Sequence, residues 1–432
     1  MRESYVSPES RTKKRLNCIF IILIIFITSA QFFVGKKFKA FKIHVSIIPS
    51  DSQITFDISE IPTVDDNDKN SMNSINDDEM NVNVNGTSEV KNNTSFTIHD
   101  GVVFVTKTLW SKDSPAIKAM VCLVNASYNR KVNYSYDFVI FTTLPWSEEE
   151  VKSLQAVAAP AKLTVVLEGL SLEERMAALS PEQQEFLNKR CDVAENSTIT
   201  WFHHCAEQGK VNANLGYSWQ AEFRAYHIWT HPALMDYKYM MWFDSDAQVS
   251  REWDKDPVDA MVKKNLTLMY TAFPYGIVSH KSHIYNDLLD KIKKTYGKPI
   301  CGVFEVNGSL KPGYCKEGEG KSIAQVAGYW HLTNLEIYRK DIHQKYLKLH
   351  IGTYPFSRDR DDQIAVTIPA IYESIENPNA TMDARYNGFY LKIRHHNKYD
   401  NKVSTPRNRF KYYKDLEKDW PEGYNMCRDY LA

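Results

Sequence analysis

Short apolar runs alternate with amphipathic segments through most of the chain after residue 100. Runs rich in β-branched and aromatic residues predict buried strands at residues 101–106, 136–141, 163–167, 237–243 and 268–273. Between them, helices are predicted at residues 114–124 and 219–229. Two further helices are predicted to start at Ser147, an N-cap followed by three acidic residues, and at Asp256. Strands that alternate with helices predict an α/β fold with a mostly parallel, doubly wound sheet.

One predicted strand is followed directly by two aspartates. The run Tyr-Lys-Tyr-Met-Met-Trp-Phe at residues 237–243 leads directly into Asp244, Ser245 and Asp246. In open α/β sheets ligands collect at the ends of strands, and two aspartates spaced this way can both offer oxygens to Mn²⁺ or Mg²⁺. Such an ion can neutralise a diphosphate leaving group. A solvated turn after a core strand is the alternative, and the alternating α/β context favours the metal site.

Three later clusters carry further candidate chemistry. Glu336 lies among apolar residues, where a desolvated carboxylate would be reactive; an exposed acid at a helix start is the alternative. Arg358 and Asp361 belong to a charged stretch that suits contacts to phosphate and sugar hydroxyls, or a solvated helix start with local ion pairs. His395 and His396 follow a short apolar segment and offer a third metal ligand, unless they are surface residues.

Composition and absent motifs exclude several classes of protein. The 53 basic and 53 acidic side chains leave no net charge, so nothing points to a nucleic-acid partner. The phosphate loops G-x-x-x-x-G-K-[ST] and G-x-G-x-x-G are both absent, as is the G-x-S-x-G elbow. A P-loop kinase and a serine hydrolase are therefore disfavoured.

The N-terminal region predicts a membrane anchor and a stem. Basic residues precede an apolar run at residues 18–34, which predicts a cytoplasmic tail at 1–15 and a transmembrane signal anchor at 16–35. A cleaved signal peptide with a processing site at residues 28–30 is the alternative. Residues 51–89 hold ten acids and one lysine, so residues 36–98 are predicted to be a flexible lumenal stem. The catalytic domain is predicted at residues 99–432.

Glycosylation signals and cysteines agree with a lumenal location. Nine Asn-x-Ser/Thr sites all follow the apolar run. Six of the seven cysteines do as well, and an even number in an oxidising lumen favours disulfides. The preferred pairs are Cys191 with Cys205 and Cys301 with Cys315. A zinc site is disfavoured because no C-x-x-C pair exists.

Residues from about 120 to 398 resemble, in several blocks, the fungal-type α-1,2-mannosyltransferases of glycosyltransferase family 15, which are type II membrane enzymes of the secretory pathway. Residues 237–246, followed by Asp256-Pro257 and Met261, are the nearest match. The other similar blocks are Leu123-Val124-Asn125, residues 136–141 with 145–149, Phe223-Arg224-Ala225-Tyr226 with His231-Pro232, Asn334-Leu335-Glu336-Ile337, Arg358 with Asp361, and residues 390–396.

The resemblance implies a GT-A fold, GDP-mannose as donor, Mn²⁺, and transfer with retention of configuration. Asp244 and Asp246 stand where the family has the Glu and Asp of its metal-binding Glu-Pro-Asp. Glu336 matches the family's candidate nucleophile or face-stabilising carboxylate. His395 or His396 matches its second protein ligand to the metal.

Two arginines complete the implied site, because Arg224 and Arg358 would contact donor phosphate or acceptor. Asp361 would contact the donor or acceptor in the same way. The sequence departs from the family pattern where Asp359-Arg360 replaces Trp-Gly and where residues 397–400 replace a Pro-rich, Cys-containing tail.

The sequence thus predicts a lumenal, metal-dependent glycosyltransferase of the Golgi membrane. Its expected reaction is α-1,2-mannosyl transfer from GDP-mannose to a glycan or glycoprotein acceptor. Two alternatives stay open. One is an inverting GT-A enzyme with another nucleotide-sugar, in which an acid near Asp361 is the general base. The other is a catalytically silent lumenal sugar-binding protein.

Overall fold

The structure is a computed structural model that describes residues 41–47, 54–60, 95–108, 114–169, 174, 177–190, 204–207, 210–279, 283–315, 322–352, 362–394 and 406–431. The chain divides into two compact units, Met1–Glu89 and Val90–Ala432. The predicted cytoplasmic tail and anchor, residues 1–35, lie outside the described residues. Within the described ranges, no helix is long and apolar enough to cross a membrane.

The strands of the described residues are β1 (Phe41–Ile47), β2 (Ile54–Glu60), β3 (Val102–Thr108), β4 (Asp137–Thr142), β5 (Leu163–Leu167), β6 (His204–Glu207), β7 (Lys210–Asn214), β8 (Tyr239–Phe243), β9 (Gln248–Val249), β10 (Leu268–Tyr270), β11 (Gly276–Ser279), β12 (Ile300–Val306), β13 (Ser309–Tyr314), β14 (Ser322–Gln325), β15 (Trp330–Asn334), β16 (Thr381–Asp383) and β17 (Ile393–Arg394). The helices are α1 (Ser114–Ser127), α2 (Glu148–Ala158), α3 (Pro181–Arg190), α4 (Leu215–Ala225), α5 (Pro257–Lys263), α6 (His283–Tyr296), α7 (Leu335–Tyr338), α8 (Asp341–Ile351), α9 (Asp362–Glu376), α10 (Pro406–Asp419) and α11 (Pro421–Cys427).

In the first unit, β1 and β2 pair antiparallel. They lie inside the segment that its composition predicted to be a flexible stem. The pattern that indicates them is a strict alternation of apolar residues, at positions 41, 43, 45 and 47 and again at 54, 56 and 58. The acidic stretch further along does not extend this alternation.

The second unit is built on a seven-stranded sheet with the strand order β16-β10-β15-β8-β3-β4-β5. Strand β15 runs antiparallel to both of its neighbours, β10 and β8. The pairs β3–β4, β3–β8, β4–β5 and β10–β16 are parallel. The α/β fold with a mostly parallel sheet is therefore confirmed.

The large sheet is covered on both faces, as a doubly wound sheet requires. Every residue of β3 is buried, and neighbouring side chains on a strand point to opposite faces. Phe104 belongs to one core with Ile117 of α1, whereas Val103 belongs to a second core with Phe223 of α4 and Ile364 of α9. The continuous apolar runs of these strands follow from burial on both sides.

Local capping signals set the predicted helix starts. Ser147 and Glu150 form a reciprocal capping box at the start of α2, with backbone-to-side-chain distances of 2.9 and 3.2 Å. Asp256 caps α5 by accepting bonds from the N–H groups of Val258 and Asp259 at 2.9 and 3.1 Å. Both predicted starts are confirmed.

A smaller, four-stranded sheet with the order β11-β14-β12-β13 lies in the same unit. Two-stranded pairs are formed by β17 with β9 and by β6 with β7. Strand β9 begins two residues after Asp246, so its partner β17 lies close to the acidic turn in the sheet.

Two disulfides link described residues. Cys301–Cys315 confirms a predicted pair, whereas Cys122–Cys427 joins α1 to the end of α11 across 305 residues. Sequence spacing could not indicate the second pair, because only the folded chain brings its two helices together. Cys191 lies outside the described residues, so its pairing with Cys205 stays a prediction. Both disulfides favour an oxidising compartment.

We expect the longer disulfide to contribute more stability than the shorter one. The double variant Cys122→Ser/Cys427→Ser should lower the free energy of unfolding by roughly 2–5 kcal/mol, because it releases a very long loop in the unfolded chain. The matched control is Cys301→Ser/Cys315→Ser, whose ends are 14 residues apart. Urea unfolding measures both, and a larger loss in the control would contradict the expectation.

The predicted glycosylation sites differ in access. Asn125 is buried, and its side-chain amide donates to the carbonyl of Ala158 at 2.9 Å while its oxygen accepts from Asn129 at 3.0 Å. It therefore has no room for a glycan in the folded domain, which corrects the prediction at this site. The exposed members of the set are Asn133, Asn265, Asn307 and Asn379. The four remaining sites lie outside the described residues.

Candidate active site

The aspartates follow the central region of the large sheet at its carboxyl edge. Strand β8 is buried throughout and ends at Phe243, so Asp244 is the first residue beyond it. Strands β3, β4, β5, β10 and β16 run in the same direction as β8 and end at the same edge. Asp244 and Asp246 therefore occupy the edge where ligands bind in open α/β sheets.

Arg224, at the end of α4, holds the aspartate turn in place. Its Nη1 lies 2.9 Å from Oδ1 of Asp244, and its Nη2 lies 2.6 Å from Oδ2 of Asp362. The same Nη2 donates to the carbonyl oxygen of Gly328 at 2.6 Å. Because the Arg224 side chain is only 14% exposed, these three contacts fix a largely desolvated guanidinium between two carboxylates.

Trp242 supports the same turn from within β8. Its Nε1 donates to Oδ1 of Asp244 at 2.9 Å, and the Arg224 guanidinium lies 4.2 Å from the centre of its ring. His331 stacks on the indole with an interplanar angle of 12° and a centroid distance of 6.3 Å. One carboxylate oxygen of Asp244 is thus oriented by two donors that are themselves packed together.

Gly328 permits the close approach of these groups. A Cβ at this position would lie 3.0 Å from Oδ2 of Asp362 and 3.2 Å from Nη2 of Arg224. Both neighbours are fixed by their mutual ion pair and cannot move apart easily. The absence of a side chain at residue 328 is therefore a condition for the Arg224–Asp362 contact.

His331 is held neutral. Burial, followed by the nearby Arg224, lowers the pKa of His331 from 6.5 to about 3, and Asp244 offsets only part of this. Within the described residues its Nδ1 has no hydrogen-bond partner. His331 therefore adds an uncharged ring beneath the site rather than a second cation.

This neutral histidine predicts acid sensitivity of the fold. Between pH 6.5 and about 3 the unfolded chain binds a proton at His331 that the folded chain does not, so stability falls as the pH decreases through this window. Each pKa unit corresponds to about 1.4 kcal/mol. The variant His331→Phe should lose less unfolding free energy than the wild type between about pH 7 and about pH 5. Equal losses in urea titrations would refute this.

The metal-binding part of the site is described only in part. No group of three His, Cys, Asp or Glu side chains that could hold a metal occurs among the described residues. His395 and His396 lie outside them. Strand β17 ends at Arg394, opposite Gln248 of β9. The chain therefore runs alongside the residues that follow Asp246 immediately before it reaches the two histidines.

Glu336 lies at the other end of the sheet. Strand β15 runs antiparallel to β8, and its last residue, Asn334, is opposite Tyr239, the first residue of β8. Five residue steps of about 3.3 Å, or about 16 Å in all, separate Tyr239 at this end from Asp244. The Glu336 side chain is 57% exposed and pairs with Lys238 at 2.8 Å. The structure does not bring Glu336 to the aspartates. Glu336 is an exposed acid at the start of α7.

Asp362 is a site residue that sequence reasoning missed. Arg358 and Asp361, the residues selected in that charged stretch, lie outside the described residues. Asp362 is the first residue of α9; it is 3% exposed and contacts Arg224. The available signal was its place at the start of a long apolar helix, where an acid is at the boundary between surface and core.

A second buried ion pair was also missed. Lys107 of β3 lies 2.6 Å from Glu168, which follows β5, with the two side chains 0% and 3% exposed. Thr143, after β4, accepts from Lys107 and donates to Glu168, both at 3.0 Å. The signal was a lysine in an otherwise uncharged strand whose first four residues are apolar. These contacts tie together three neighbouring strand ends at the same edge as Asp244.

Similarity to known proteins is confined to solved structures. No family model matches the sequence, and no curated protein matches it. The structure is similar to core-mannan synthase A from Aspergillus fumigatus in its Mn/GDP form, at 14% sequence identity and a TM-score of 0.44, over 77% of this chain and 83% of that one.

Two further structures show similarity of the same kind. The mannosyltransferase Ktr4p from S. cerevisiae in complex with GDP is 12% identical, with a TM-score of 0.42, and the match covers 63% of this chain and 66% of that one. The galactosyltransferase LgtC in complex with donor and acceptor sugar analogues is 12% identical, with a TM-score of 0.32, over 76% of this chain and 99% of that one.

Proposed function

We propose that this chain is a metal-dependent glycosyltransferase that uses a nucleotide-sugar donor. The observation that carries the proposal is the acidic turn of residues 244–246 at the carboxyl end of β8, oriented by Arg224 and Trp242. The sequence resemblance specifies the reaction further, as retaining α-1,2-mannosyl transfer from GDP-mannose to a glycan or glycoprotein acceptor. The predicted anchor and the disulfides support a single-pass type II protein of the Golgi membrane with a lumenal catalytic domain.

The residues present fit a divalent cation. Asp244 and Asp362 both contact Arg224, and Asp246 follows Asp244 by two residues, so these four side chains carry two net negative formal charges. Carboxylate oxygens are the ligands that Mn²⁺ and Mg²⁺ prefer. We propose that Asp244 and Asp246 hold the ion, with His395 or His396 as a further ligand, and the β17–β9 pairing supports this assignment. When bound, the metal supplies charge neutralisation for the departing nucleoside diphosphate.

The chain's own groups prepare the site for that ligand. Arg224 and Trp242 both donate to Oδ1 of Asp244, which fixes the direction of the carboxylate before any ligand arrives. Asp362 balances Arg224 from the other side and keeps the guanidinium from rotating away. We also propose that Arg358 and Asp361, which lie four residues and one residue before Asp362 in the chain, contact the donor or acceptor.

A donor screen tests this function directly. The melting temperature of the purified full-length chain is measured with GDP, UDP and their sugar conjugates, each with and without Mn²⁺. Because a ligand of the folded state raises apparent stability by mass action, we expect a rise that needs both metal and nucleotide, and that is largest for GDP. No shift with any nucleotide in the presence of Mn²⁺ would contradict the proposal and favour a silent sugar-binding protein.

The stereochemistry of transfer has its own test. The anomeric configuration of the product, read by proton NMR, distinguishes retention from the inverting alternative with an acid near Asp361 as base. With Glu336 at the opposite sheet end, a retaining enzyme would need another group on the far face of the sugar.

Glu336 itself is expected to be dispensable for transfer. Glu336→Gln should change turnover by less than about twofold, because an exposed ion pair contributes only about 0–1 kcal/mol to the surrounding structure. Lys238→Gln, which removes the other half of the pair, is the matched control. Both variants are compared by steady-state transfer rates. A loss of turnover in the Glu336 variant alone would support a catalytic role for Glu336.

A further inference from the structure

We propose that the part of the carboxyl edge beyond Asp244, towards β10 and β16, binds the acceptor, and that the acceptor is a neutral carbohydrate. The inference rests on the proposed function, because it names the second substrate of the same site. We call this region the acceptor surface and define it by Tyr275, Tyr329, Glu305 and Arg385. It combines two aromatic rings with one acid and one guanidinium.

Tyr329 contacts the aspartate turn, and Tyr275 packs on Tyr329. The carbonyl oxygen of Tyr329 accepts the N–H of Asp244 at 2.9 Å, so Tyr329 is anchored to the strand end that carries the acids. Its hydroxyl accepts from Thr271 at 3.2 Å, which fixes the ring. Tyr275 packs against this ring edge to face, with a centroid distance of 5.9 Å and an interplanar angle of 68°. Tyr275 is 36% exposed, so it presents aromatic surface to solvent beside the site.

The charged pair lies on the same side. Arg385 follows β16 and is held by the buried Asp383, with Nη2 to Oδ2 at 2.9 Å and Nε to Oδ1 at 3.4 Å. Its side chain is nevertheless 56% exposed. Glu305 of β12 accepts from the hydroxyl of Tyr270 at 2.7 Å. The hydrogen bond that Arg385 donates to Asp383, with smaller contributions from Tyr329 and Glu305, raises the pKa of Arg385. Tyr270, which binds Glu305, is opposite Asp383 in the β10–β16 pair, so these groups are neighbours.

The charges select a neutral ligand. Arg385 is already matched by Asp383, and Glu305 adds a second carboxylate nearby, so a phosphate-bearing ligand would meet more negative than positive charge. Sugar rings offer C–H faces that stack on aromatic rings and adjacent hydroxyls that bind carboxylates and guanidinium groups. Oriented charged groups make the stronger of these hydrogen bonds. The acceptor surface therefore suits a carbohydrate rather than the diphosphate of the donor.

Saturation-transfer NMR on the full-length chain with GDP and Mg²⁺ tests the inference. The probes are methyl α-D-mannopyranoside, methyl β-D-galactopyranoside and methyl β-D-xylopyranoside at millimolar concentration. We expect transfer to the ring protons of at least one glycoside, and about tenfold weaker binding of it by Tyr275→Ala, which corresponds to about 1.4 kcal/mol. Glu305→Gln, which keeps a hydrogen-bond acceptor for the hydroxyl of Tyr270, should weaken binding of the same glycoside.

The control is Tyr314→Ala, an exposed tyrosine at the other end of the small sheet, which should bind the glycoside as the wild type does. Absence of transfer from the wild type to all three glycosides would overturn the inference, as would wild-type binding by Tyr275→Ala. Weaker GDP binding by Tyr275→Ala would also overturn it, because the tyrosines would then serve the donor. Failure of the wild type to bind any nucleotide would instead refute the proposed function.

Discussion

Asp246→Ala is expected to abolish the joint stabilisation by Mn²⁺ and GDP and to lower sugar transfer by roughly a thousandfold. The size follows from the several kcal/mol that a metal contributes to stabilising charge in a transition state, at about 1.4 kcal/mol per tenfold in rate. Asp246 follows the carboxyl end of β8 within the turn, whereas Asp244 is already bound by Arg224 and Trp242. Melting curves and transfer rates measure the two effects separately.

The matched control is Asp254→Ala. Asp254 is an exposed aspartate between β9 and α5, eight residues along the chain, and it is part of no proposed contact with metal or donor. We expect wild-type melting behaviour and turnover from it. Retention of Mn²⁺-dependent nucleotide binding by Asp246→Ala would contradict the assignment of Asp246 as a metal ligand. Equal losses in both variants would point to general damage in this region instead.

Arg224→Met is expected to lower the free energy of unfolding by about 3–5 kcal/mol, because it removes the guanidinium that pairs with a buried carboxylate. Asp362 is 4% exposed and Asp244 21% exposed as side chains, so neither can be fully solvated in place. The carbonyl of Gly328 also loses its donor. Denaturant unfolding of the purified variant measures the loss.

Two comparisons make this result specific. Lys238→Met breaks the exposed pair with Glu336 and should cost only about 0–1 kcal/mol. Combining Arg224→Met with Asp362→Asn should recover part of the loss, because the second change removes the buried negative charge that Arg224 balanced. A single Arg224→Met variant within about 1 kcal/mol of the wild type would show that the pair is solvated in solution, contrary to the structure.

Much of the large sheet could be predicted from short-range pattern. The predicted strand at residues 163–167 coincides with β5, and the helix starts at Ser147 and Asp256 are the observed caps. Side-chain alternation and capping bonds depend on residues within a few positions of one another, so they can be read without the fold. The alternating apolar residues of β1 and β2 indicate strands in the same way. The acidic composition of the surrounding segment led instead to the prediction of a flexible stem.

The candidate site could be predicted less completely. Sequence resemblance selected Arg224 as a contact to donor or acceptor, and the structure shows what holds it, two carboxylates from distant segments. Asp362 and Gly328 carried only weak local signals, because neither belongs to a recognisable spacing with Asp244. Their roles come from the packing of α4, α9 and the start of β15 around one guanidinium.

The sequence by itself determined the alternation of strands and helices and the acidic residues that follow the strand at 237–243, and it favoured the short-range disulfide Cys301–Cys315. Only the tertiary structure decided that β15 runs antiparallel to β8, which carries Glu336 away from the turn, and that Cys122 meets Cys427. The physical reason is range. Periodicity and caps are set by neighbours in the chain, whereas strand direction and order are set by pairing between segments tens to hundreds of residues apart.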